Sequence, residues 1–105
     1  MNHEEVIRSA EEVAGILKIL GSRIRLLAVC EIGSGEVSVQ ELAERLGTTQ
    51  SNLSQHLAKM KMVKILECRR DGNTMYYRIH DRRIIKLIEH LQSAFCGNKK
   101  INDLS

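Results

Sequence analysis

The sequence predicts a mainly α-helical domain that carries a β-hairpin. The order is helix, helix, helix, helix, strand, strand, helix. Two adjacent helical patterns meet at Gly47 after only a few residues of turn, which is helix-turn-helix spacing. After Met62 the apolar period shortens to that of strands, and two such runs flank Asp71-Gly72-Asn73, a strong hairpin signal. The chain also begins and ends in amphipathic helical patterns that lie outside this unit. Together these features describe a winged helix-turn-helix, α-α-α-α-β-β-α, in a single domain over residues 1–105.

Each element has a local reason. Residues 4–19 read as a helix with Val6, Ala10, Val13, Ala14 and Leu17 on one face and acidic residues elsewhere. Gly21-Ser22 breaks it, and Ser22 can cap a helix over 23–32. That helix is apolar nearly all round (Ile24, Leu26, Leu27, Ala28, Val29, Cys30, Ile32), as a buried central helix should be. Gly33-Ser34-Gly35 ends it. Val37-Ser38-Val39 is a short extended link, and Ser38 with Glu41 forms a capping-box pattern ahead of a helix to Leu46. Gly47 stops that helix and Thr49 can cap the next. Val63–Arg70 and Thr74–Ile79 are the expected strands. Asp81 caps a last helix to about Phe95, with Ile84, Leu87, Ile88, Leu91 and Phe95 as its stripe. The tail from Gly97 is polar and is expected to fray. The stripes of the first and last helices are natural material for a homodimer, or for closing the core of one chain.

Composition narrows the class. Hydrophobic residues make up 43%, enough for a core, but aromatics are only 3%, so aliphatic side chains must fill it. No apolar run is long enough to span a membrane, and Met1–Glu5 lacks the basic start and apolar centre of a signal peptide; a cytoplasmic protein is expected. The net charge of +3 is unevenly placed: −3 over residues 1–58, +6 over 59–86, and neutral beyond. The basic block directly follows the second helix of the helix-turn-helix, where phosphate contact would use it, although a solvated surface has the same composition. The three Cys (30, 68 and 96) form no CxxC, so thiols at rest are expected.

The helix from Thr49 is the informative one. Leu53, Leu57 and Met60 form its narrow apolar stripe. Gln50, Ser51, Asn52, Ser54, Gln55 and His56 fill the rest of its first turns with short hydrogen-bonding groups and almost no charge. An ordinary solvated face usually carries Lys and Glu; amides and hydroxyls suit base edges and phosphates in a major groove. Lys59 follows on the same helix, and the hairpin carries Arg69, Arg70, Asn73 and Tyr76 near its tip, where they could reach the phosphate backbone or a minor groove.

Four segments taken together resemble the ArsR/SmtB family of bacterial winged-helix repressors, over roughly residues 13–96. They are Leu17-Lys-Ile-Leu-Gly-Ser-Arg-Ile-Arg-Leu-Leu27, Val39-Gln-Glu-Leu-Ala-Glu-Arg-Leu46, Gln50-Ser-Asn-Leu-Ser-Gln-His-Leu57 and Gly72-Asn-Thr-Met-Tyr-Tyr-Arg-Ile79. The resemblance implies a homodimer that binds double-stranded operator DNA and represses until an inducer arrives. Two metal sites known in the family lack their ligands here. Ser38-Val39-Gln40 stands where the thiolate version has Cys-x-Cys. In the zinc version Asp81 is kept, but Arg83 replaces the first His, and Ala94 and Gly97 hold the other positions. No resident metal or other cofactor is expected.

The placement of Cys30 and Cys96 is similar to the branch of that family that senses reactive sulfur species or oxidants. The resemblance implies that a disulfide or polysulfide bridge between them releases DNA. Each Cys also has a plainer reading: Cys30 as a small core residue, Cys96 as a chance exposed thiol. Cys68 has no counterpart in that pattern. Two alternatives stay open: a thiophilic metal held by Cys30, Cys96 and a nearby His, and a winged helix that docks proteins instead of DNA. With no paired carboxylates and no nucleophile–base motif, an enzyme is not expected.

Overall fold

The computed structural model describes residues 2–97. Its elements are α1 (His3–Leu20), α2 (Arg23–Ile32), β1 (Glu36–Ser38), α3 (Val39–Leu46), α4 (Gln50–Met62), β2 (Leu66–Asp71), β3 (Thr74–Ile79) and α5 (Arg82–Cys96). The helix starts follow their caps. Ser22, Ser38 and Thr49 each accept the backbone N–H three residues on, at 3.4, 3.2 and 3.1 Å, and Asp81 accepts that of Arg83 at 3.0 Å. The capping box at Ser38 forms only in its first half, because the Glu41 carboxylate turns to Arg45 instead (2.5 Å). The part of the expected frayed tail beyond Gly97 lies outside the described residues.

Gly47 closes α3 in the left-handed region, φ 66° and ψ 35°. Its N–H bonds to Glu44 and that of Thr48 to Ala43, a Schellman closure. A Cβ there would meet nothing within 4 Å, so the strain of a substitution lies in the backbone alone. Gly47→Ala is expected to destabilise the fold by about 1–2 kcal/mol, and Gly47→Asn by less, read as midpoints of urea unfolding.

Two expectations about the sheet need correction. The first strand of the hairpin starts at Leu66, not Val63. Val63 caps α4, Lys64 takes φ 64°, and the Lys64 and Ile65 N–H groups return to Lys61 and Met60 at 3.0 and 2.9 Å. This is a second Schellman closure, on a lysine. The buried Met60 and Ile65 supply the apolar contact that such closures favour, so packing sets the stop here without glycine. The sheet also has three strands, ordered β1-β3-β2, because the link at 36–38 pairs antiparallel with Arg78, Tyr77 and Tyr76 of β3. In the hairpin Asp71 pairs with Thr74, leaving Gly72 and Asn73 as the turn. Positive φ falls on Gly72 alone, the pattern of a type II′ turn.

The core lies where α2, α3, α4 and the inner sheet face meet. Ala28, Val29, Leu42, Leu53, Leu57 and Met60 are fully enclosed there. α5 adds Ile84 and Ile88, while Leu87 and Leu91 are half-buried. α1 reaches the core through Ile16, Ile19 and Leu20 instead of through its expected stripe. Val6, Val13 and Leu17 of that stripe are about half exposed, as is Ile7, and Phe95 is 77% exposed. In one chain the α1 stripe therefore closes no core.

Candidate DNA interface and thiol pair

α4 is held by its inner face: Leu53, Leu57 and Met60 are 0% exposed. Gln50, Ser51, Asn52, Ser54, Gln55 and Lys59 are exposed on the remaining surface and His56 is half-buried. The face is not wholly free. The Asn52 amide donates to Thr48 Oγ1 at 3.0 Å, and His56 Nδ1 lies 3.2 Å from Arg25 Nη1.

In the wing, the sequence-predicted residues divide. Arg70 and Asn73 are exposed at the tip. Arg69 grips both Glu36 oxygens, its Nε at 3.0 Å from each and its Nη2 at 2.8 Å from one. That guanidinium holds the Glu36 carboxyl below the usual carboxylate range, and it stacks over the Tyr76 ring at 4.5 Å. Arg69 and Tyr76 thus brace β2 and β3 to β1. Beside them Arg78 and His80 both pair with Glu67. Glu36 and Thr48 are site neighbours that the sequence did not single out.

Cys30 lies on α2 and Cys96 ends α5. Cys30 is 4% exposed, and the Gln92 side chain hydrogen-bonds to it. Burial pushes the Cys30 thiol pKa up, the Gln92 bond opposes this, and negative charge on Cys96 or Glu31 raises it further. Cys96 is half-exposed, and both thiols are free. Cys68 stands apart on β2, opposite Tyr77, with the Lys61 ammonium against it.

A protein-family model described as a helix-turn-helix domain matches residues 21–69. The biofilm growth-associated repressor of Xylella fastidiosa is 36% identical over 100 residues, covering 95% of this chain and 88% of that protein. The chain belongs to the ArsR/SmtB family of winged-helix transcriptional regulators. Solved structures agree. Reduced HlyU from Vibrio cholerae superposes with a TM-score of 0.83 at 30% identity, covering 89% of this chain and 98% of that one. A homodimeric winged helix-turn-helix DNA-binding domain from Mycobacterium bovis, a possible ArsR-family regulator, gives 0.73 at 26% identity, covering 90% and 86%.

The metal positions of ArsR/SmtB proteins do not fit a cation in this member. Asp81 is engaged by Arg83 at 2.7 Å, and Arg83 also reaches Glu12 of α1 at 2.6 Å, so a guanidinium already supplies the positive charge. Among the described residues no group of three or more His, Cys, Asp or Glu side chains converges to hold a metal ion. No helix among them is long and apolar enough to cross a membrane.

Proposed function

We propose that this chain is a homodimeric repressor that leaves its operator when a reactive sulfur species or oxidant bridges Cys30 and Cys96. DNA binding and repression are the business of the relatives it resembles. What supports the sensing half is a pair of free thiols 66 positions apart in the chain, Cys30 on α2 and Cys96 at the end of α5, with charge on Cys96 raising the pKa of Cys30.

Exposure sets the order of events. Cys96 is the accessible thiol and reacts first; Cys30, buried and reluctant to ionise, resolves. With an organic persulfide, the Cys96 thiolate takes the terminal sulfur and releases the organic thiolate. The Cys30 thiolate then attacks Cys96 Sγ and expels hydrosulfide, leaving a disulfide; a further persulfide would leave a longer sulfur chain. Either bridge ties α2 to α5 and alters how the two reading heads are held.

For the DNA half, Gln50, Ser51, Asn52, Ser54, Gln55 and His56 face the groove, with Lys59, Arg70 and Asn73 on phosphates and Arg69 and Tyr76 as the brace of the wing. The dimer reading is supported by the exposed Val6, Ile7, Val13 and Leu17 of α1 and Phe95 of α5, together with the homodimeric relative.

Peptide mass mapping after persulfide treatment without reductant tests the switch. The expected product is a Cys30–Cys96 cross-link, with or without added sulfur, and a matching loss of operator binding that Cys96→Ser abolishes. Independent modification of the two thiols, with neither joined to the other, would remove the thiol switch and leave a repressor with another inducer.

A further inference from the structure

His56 lies in the second turn of α4, among amides and hydroxyls. Its ring makes one hydrogen bond among the described residues, from Nδ1 to Arg25 Nη1 at 3.2 Å. Arg25 belongs to the first turn of α2. Its guanidinium is itself anchored, because Nε donates to the Ile19 carbonyl at the end of α1 at 2.6 Å. A guanidinium has only donors, so Nδ1 must accept, and in a neutral imidazole the proton then sits on Nε2.

We infer that Arg25 is a positioning residue for DNA reading: it fixes the ring orientation and tautomer of His56, so that α4 offers a single Nε2–H donor to an acceptor on the DNA. This rests on the DNA-binding reading above. Of the other polar residues of the face, Gln50, Ser51, Ser54 and Gln55 can each donate or accept by rotating, while the Asn52 amide is held by the nearby Thr48 hydroxyl. A free histidine could do so too. His56 is the one group on the face whose sense is set in advance, by a side chain from another helix. A phosphate oxygen or the acceptor edge of a purine fits it; the amino groups of cytosine and adenine do not. From α2, Arg25 bonds both α1 and α4, so the reading helix is registered against the same helix that carries Cys30.

The tautomer can be read directly in the free protein. Long-range ¹H–¹⁵N correlation at a pH where the ring is neutral is expected to show His56 protonated on Nε2 in large excess. A dominant Nδ1–H form, or a mixture of both, overturns the inference while leaving the DNA-binding reading intact.

Operator binding gives the second arm. Lys cannot make both bonds of the Arg25 fork, so Arg25→Lys and His56→Ala are each expected to weaken operator binding by about tenfold. The double variant should bind no more weakly than His56→Ala alone. Losses that multiply would mean that Arg25 acts without His56 and would also overturn the inference. A loss seen on the operator but not on random DNA assigns the acceptor to a base edge; an equal loss on both assigns it to a phosphate. Thermal midpoints show that each variant is folded. A wild-type chain that retains no DNA in a genomic selection would remove the DNA-binding reading and this inference together, even with the tautomer as expected.

Discussion

Raising the salt from about 50 mM to about 200 mM is expected to weaken operator binding by about two to three orders of magnitude. The exposed cations beside the reading face set this loss. Lys59 and Arg70 are exposed and, among the described residues, outside every ion pair. From the two protomers of the proposed homodimer they would supply about four phosphate contacts, and each contact contributes about 0.9 to the slope of log affinity against log salt. Arg69 could raise the total to about six, but only by leaving Glu36, which it holds with two nitrogens. Fluorescence anisotropy of a labelled operator over a salt series measures the slope. A value near four contacts keeps Arg69 as a brace, a value near six releases it to the DNA, and a flat response would sink the phosphate interface altogether.

Leu53→Ala is expected to be among the most damaging single truncations in the reading helix. Leu53 is 0% exposed and sits on the inner face of α4 with Leu57 and Met60. Shortening it leaves a cavity that the close-packed surroundings fill only in part, at about 2–5 kcal/mol. A domain of this size is stable by only about 5–15 kcal/mol, so the thermal midpoint should fall by about 10 °C or more. Operator affinity should fall with it, because the same leucine seats the polar face at a fixed height and angle. Ser54→Ala, one residue on and pointing outward, should change stability by no more than about 0.5 kcal/mol. Calorimetry of both variants separates the inner face from the outer one. Equal stability of the two would contradict the burial assigned to α4.

The elements that organise the fold were legible because their signals are local. Thr49 caps and Gly47 stops within a few residues of what they govern, and Gly72 turns the hairpin in place. What could not be read depends on partners far along the chain. The pairing of residues 36–38 with β3 makes a strand of what looks like a link. The stop of α4 at Lys64 carries no glycine to announce it; it is enforced by burial of Met60 and Ile65. The polar face of α4 stood out in composition, but the contact of Arg25 with His56, 31 positions apart, has no periodicity to betray it. Likewise, nothing local in the sequence announces that Arg69, offered there for DNA contact, is held by Glu36 on another strand. Sequence patterns identify which side chains are available; the fold decides which are already occupied.

The ion pairs of Arg83 have a consequence for supply and demand. This guanidinium joins Asp81 at the start of α5 to Glu12 of α1. Exposed as it is, the pair is worth little in stability. Its cation, however, is part of the polypeptide: it arrives with every copy, cannot be chelated, and does not follow the concentration of any ion in the cell. A charge that never varies carries no information about the surroundings. At this end of α5 the protein has a permanent occupant, one that comes and goes with the fold itself and not with its surroundings.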